Sequence, residues 1–178
     1  MTMLPNTFKN QIEHHLKVLI GLPLWNAGRA ATIEWFQFGN PRTVPATKGN
    51  TKEVGDYALH IQCAWRLVNN EGVIAGSSDR YFPSGDDPYD DKPDFDWDEQ
   101  GANRCDERVR AFFDSRTLKP LIVESIQVGL AGAFQLSLGD QVALEVFPDH
   151  SLRYEYWRLL RPATEEEHFV VTGLGIES

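Results

Sequence analysis

Two cysteines in 178 residues are too few for a disulfide framework or a four-ligand structural zinc site, so neither is expected to hold this chain together. Long apolar runs are missing as well. The longest near the N-terminus, VLIGLPL at 18–24, is broken by Gly21 and Pro23, which excludes a membrane-spanning helix there. MTMLPNTFKN has no basic cluster leading into a long apolar stretch, so a secretory leader is not expected and the cytoplasm is the expected location. Positive charge is scarce: 17 basic side chains stand against 26 acidic ones, a net of -9. A general nucleic-acid binder needs the opposite balance to displace counterions from phosphates. Catalytic motifs are absent too. There is no G-x-S-x-G elbow and no phosphate loop, and Gly173-x-Gly175 has no helix after it to form a dinucleotide turn.

What is present describes an ordinary globular chain, 42% apolar and 24% charged, of a length that fits one domain over 1–178. Phe8, Ile12, Leu16 and Leu19 recur at helical spacing and predict a first helix over 7–20, stopped by Gly21 and Pro23. Val109, Phe112 and Phe113 predict a second over 102–114. Between them, AATIEWFQF at 30–38 reads as a strand. Tyr57, Leu59, Ile61, Cys63, Trp65 and Leu67 alternate with polar residues as one continuous strand over 57–67, followed by a partner at 73–76. Further strands are expected near 121–128, 133–138, 141–147, 153–160 and 168–172, with Gly139-Asp140 as a two-residue hairpin loop. The sum is an α+β domain: an antiparallel meander packed with two principal helices.

Charge is concentrated in one place. Residues 86–99, DDPYDDKPDFDWDE, hold eight acids against Lys92, while 1–85 net +2 and 100–178 net -4. With prolines and no periodicity, this segment reads as an acidic surface loop. Asp86, Asp87, Asp90 and Asp91 with Tyr89, Phe95 and Trp97 combine aromatic anchors with a negative field, the pairing that grips a basic protein partner. Phe95 and Trp97 could equally pin the loop to the core. Asp94-x-Asp96-x-Asp98 has the spacing of a calcium loop, but Glu99 and Cys105 stand where that template needs Gly and a bidentate Glu. A looser calcium site is the remaining metal reading, and no cofactor is expected otherwise.

A small-ligand or enzymatic reading centres on His60, Gln62 and Arg66, which share the polar face of the 57–67 strand, and on Trp25 and Arg29 in a helix-to-strand loop. Asp79, Arg80 and Tyr81 draw similar attention, though a local Asp-Arg pair accounts for them. Glu34, Glu124, Glu145 and His168 are acid-base groups that only a fold could assemble. Adjacent His14 and His15 point about 100° apart on a helix and suit one metal poorly. Both cysteines read as reduced, small hydrophobes. Five Trp, ten Phe and five Tyr exceed what two helices readily cover, which predicts a homodimer through residues 33–38 or the first helix.

GLPLWNAGRA, YALHIQCAWRL, GANRCDER, LEVFPDHSLRYEYWRLL and HFVVTGLGIE together resemble a family of bacterial cytoplasmic proteins with no assigned function. That likeness implies a self-contained bacterial domain and carries no catalytic residue to any position. The ending, a hairpin followed by Glu155, Trp157, Arg158 and Leu159, is similar to small domains among the immunity proteins of bacterial toxin systems. A non-enzymatic, immunity-like protein-binding module is the resulting expectation.

Overall fold

The apolar residues of the C-terminal third alternate so regularly that they can only line one side of a sheet, and the sheet they enter is large. The structure, a computed structural model, describes residues 5–85, 87 and 92–177. In chain order it runs α1 (Pro5–Leu16), β1 (Pro23–Ala30), β2 (Ile33–Phe38), β3 (Arg42–Pro45), β4 (Thr51–Val54), β5 (Tyr57–Ile61), β6 (Ala64–Asn69) and β7 (Gly72–Gly76). After a 3-10 turn at Ser77–Tyr81 come α2 (Arg104–Asp114), β8 (Leu121–Val128), β9 (Phe134–Leu138), β10 (Ala143–Phe147), β11 (Glu155–Leu160), β12 (Phe169–Thr172) and β13 (Gly175–Glu177). Eleven strands form one antiparallel sheet in the order β13-β12-β11-β5-β2-β1-β8-β9-β10-β6-β7, and β3 with β4 makes a separate hairpin. The α+β class with two principal helices is therefore as expected. No helix of the described residues is long and apolar enough to cross a membrane.

The sheet curls back on itself. β2 and β6 have four strands between them, yet Phe36 and Trp65 meet edge to face at 5.2 Å. Phe134 on β9 meets Trp157 on β11 at 4.9 Å across a similar interval. The two halves share one core of Phe36, Phe38, Leu59, Trp65, Leu136 and Trp157, each almost wholly buried. Phe36 and Phe38, which belong to the 33–38 segment offered above for a homodimer, face this core. Helix α1 packs on β8 and buries Ile12 and Leu16.

Three elements differ from expectation for identifiable reasons. The loop expected at 25–29 is strand β1, paired with β2 residue for residue from Asn26 to Ala30. Gly28, which reads as a strand breaker, leaves room for the Trp35 ring: a Cβ there would lie 2.3 Å from it. The single strand expected over 57–67 is two strands. Gln62 and Cys63, whose amides both donate to the Tyr156 carbonyl, carry the chain from one half of the sheet to the other. The hairpin after β9 turns over three residues, with positive φ at Asp140 and Gln141 rather than at Gly139.

β1 and β8 pair only through Pro23 and Leu24 before they diverge. Helix α2 lies beside the freed part of β1, against β7 and the 77–81 turn, and buries Cys105, Val109 and Phe113. It starts at a capping Asn103, whose Oδ1 accepts from the Asp106 amide at 2.8 Å.

Candidate functional site

The start of α2, the turn between β1 and β2, and the C-terminal part of the acidic loop meet around one buried guanidinium. Arg29 donates through Nε and Nη2 to both oxygens of Asp106, each at 3.0 Å. Its Nη1 reaches Asp98 Oδ1 and the Ala31 carbonyl, each at 2.9 Å, and Nη2 also reaches the Asp98 carbonyl at 3.3 Å. All five N–H donors are thereby engaged. The Asp106 bond raises the already high Arg29 pKa. Burial pushes the Asp106 pKa up, but bonds from Arg29 and the Gly101 amide outweigh it and hold the carboxyl below its ordinary range. Arg29, offered above for ligand binding, is thus a clamp whose donors are all engaged within the chain.

The clamp fixes the C-terminal arm of the loop. Asn103 Nδ2 donates to the Trp97 carbonyl at 2.9 Å, and Arg29 lies 5.8 Å over the Trp97 ring. Ser84 and Ala102 hydrogen-bond across the loop's stem, and Pro83 bridges Asn103. Phe95 and Trp97 are half-buried, while Asp94, Asp96 and Glu99 are exposed. At the stem stand two exposed aromatics, Tyr81 at 58% and Phe82 at 40%. The Tyr81 ring lies 5.8 Å from Trp97. The exposed acids of 94–99 thus follow an anchored arm whose Trp97 touches Tyr81 at the stem. Of the expected partner-binding residues, Asp86, Tyr89, Asp90 and Asp91 lie outside the described residues. Asp87 is exposed.

Two of the three aspartates offered for calcium have other partners. Asp98 Oδ1 accepts from Arg29, and Asp96 Oδ1 accepts the Asp98 amide at 2.9 Å. Among the described residues, no group of three or more His, Cys, Asp or Glu side chains is placed to hold a metal ion.

The expected row of His60, Gln62 and Arg66 is dispersed by the break in its strand. His60, on β5, stands between Trp35 and Arg158, and burial followed by the Arg158 charge lowers its pKa. Arg66, on β6, pairs with Glu145 at 2.5 Å and lies over Phe147. Gln62 is exposed between the two strands, on a cleft shared with Arg80. Trp25 occupies a bulge in β1, with its indole N–H buried and unbonded among the described residues. His15 stacks on Phe169 at 3.8 Å.

Two buried groups escaped assignment. Glu34 is 2% exposed and faces Arg29 across β1 and β2, yet Arg29 gives it no hydrogen bond. Its recorded contact is the Cys105 thiol at 3.9 Å. Burial, then repulsion from Asp106, raises its pKa to about 8, against the pull of Arg80 and Arg29. Arg80 is 6% exposed and donates to the Ser77 and Thr32 carbonyls, each at 2.7 Å. The local pair with Asp79 does not form: Asp79 accepts from the Gly76 amide and lies 3.9 Å from Arg104. Only side-chain alternation along β2, which puts Glu34 on the same face as Phe36 and Phe38, could have flagged Glu34 as inward-facing.

Compared with known proteins, the chain matches no family model, no curated protein and no solved structure.

Proposed function

We propose that the protein is a non-enzymatic binding module that grips a basic protein partner through the stem and C-terminal arm of its acidic loop, with an immunity-like role as the concrete form. The observation that carries the reading is the exposure of Tyr81 and Phe82 at the stem, with Tyr81 beside Trp97, on the anchored arm that carries the exposed Asp94, Asp96 and Glu99. Large aromatics left in water on a rigid base are the usual anchors of an interface. The surrounding carboxylates steer a cationic partner and raise the association rate more than the final affinity. Anchoring matters here, because an arm already held at Trp97 and Asp98 by Asn103 and Arg29 loses little conformational freedom on binding.

The test is capture from native lysate by the wild-type protein, by Phe82→Ala and by the pair Asp94→Asn with Asp96→Asn, with the captured protein identified and its binding kinetics measured. The expected partner is basic. Phe82→Ala should weaken it about tenfold, chiefly in dissociation. The charge variant should slow association and flatten its salt dependence. Capture that all three proteins perform equally would refute the reading.

A further inference from the structure

The two buried arginines beside α2 differ in one respect. Arg29 meets two carboxylates and two carbonyls. Arg80 donates only to the carbonyls of Ser77 and Thr32, lies 5.8 Å over the Tyr81 ring, and joins no ion pair among the described residues. Two of its five N–H donors are used, which leaves three without a protein acceptor there. A guanidinium only 6% exposed normally has an anion against it, since a charge with so little access to water is costly to leave uncompensated. Glu34 is near enough for Arg80 to pull its pKa down against burial, but the two share no hydrogen bond or ion pair among the described residues.

Arg80 lines a cleft of about 270 Å³ together with Thr32, Gln62, Ala64, Ser78 and Asp149. Gln62 and Ser78 are exposed, and among the described residues their side chains make no hydrogen bond, so each has a donor to offer beside Arg80. Asp149, also exposed, puts a negative charge on the same cleft. We propose that this cleft is a binding site for a small zwitterion, a carboxylate held by Arg80, Gln62 and Ser78 with an amino group turned toward Asp149. Amino acids are the simplest members of the class. A dianion such as phosphate would satisfy Arg80 but be repelled by Asp149. The cleft adjoins the acidic surface, because Tyr81 lines it too, but neither Asp94, Asp96 nor Phe82 does.

Calorimetric titration of the full chain at pH 7 and fixed ionic strength, with glycine, acetate and inorganic phosphate as probes, tests the assignment. Glycine should bind saturably at one site, acetate more weakly and phosphate least. Arg80→Lys keeps the charge but loses the planar fork, and Ser78→Trp fills the cleft mouth from an exposed position. Each should weaken glycine at least about tenfold. Should Arg80→Lys fail to fold, Ser78→Trp decides alone. Absence of saturable glycine binding, undiminished binding by Ser78→Trp, or phosphate as the tightest probe would overturn the proposal.

Discussion

Replacing Glu34 with Gln should make the protein more stable, and increasingly so as pH rises. The carboxyl is raised from 4.5 to about 8 in the folded chain, with burial as the main cause. A carboxyl whose folded value lies above its unfolded value binds a proton more tightly when folded. Its full contribution is therefore present below about pH 4.5 and is lost as pH climbs through about 8. Each pH unit in that window costs about 1.4 kcal/mol. Between pH 5 and pH 8 the wild type should thus lose roughly 3–4 kcal/mol through this group alone. Glutamine keeps the shape and the hydrogen-bonding capacity toward Cys105 but does not ionise. The variant should match the wild type within about 1 kcal/mol at pH 5 and exceed it by roughly 3 kcal/mol at pH 8. Urea unfolding of both proteins at half-unit steps over this range gives the difference directly, and subtraction removes every other titrating group. A flat difference would refute the reasoning. A variant destabilised at every pH would mean that Glu34 is ionised and paired with Arg80, and the Arg80 cleft would then lack its uncompensated charge.

Two further outcomes follow from the same neighbourhood. Arg29→Met strands the buried Asp106 carboxylate and should cost roughly 3–5 kcal/mol, whereas Asp98→Asn, at a half-exposed carboxylate, should cost under about 1 kcal/mol; equal losses in urea unfolding would refute the clamp. Burial pushes the Cys63 thiol up to about 12 and, with Glu34 beside it, pushes Cys105 higher still. Neither should react with a disulfide reagent at pH 8 until urea is added, and labelling of the native protein within minutes would show that the helix α2 seam opens readily.

Elements whose faces are sorted by polarity were legible in the sequence, and those shaped by a distant neighbour were not. Ile12 and Leu16 repeat at helical spacing on α1, and Leu136 and Leu144 alternate along β9 and β10, so periodicity alone located them. β1 has Pro23, Asn26 and Gly28, poor strand formers whose places are explained only by the Trp35 ring and by pairing with β2. The break after Ile61 left no trace because alternation continues through Cys63 and Trp65 across it. At the site, Arg29 drew attention for the wrong chemistry, since Asp98 and Asp106 lie 69 and 77 residues away. Arg80 was read through its neighbour Asp79, which turns instead to Gly76 and Arg104.

The crossing at Gln62 and Cys63 sets an order on folding. β5 sits between β2 and β11, so its second edge is filled only by residues 155–160, about a hundred positions later in the chain. During synthesis, β5 and the Phe36 face of β2 therefore wait with an open strand edge and apolar surface uncovered until β11 leaves the ribosome. Such an edge is a template for pairing with another nascent chain. Aggregation of this protein is thus governed less by the finished fold, in which Trp157 closes the core, than by the interval before Trp157 is made.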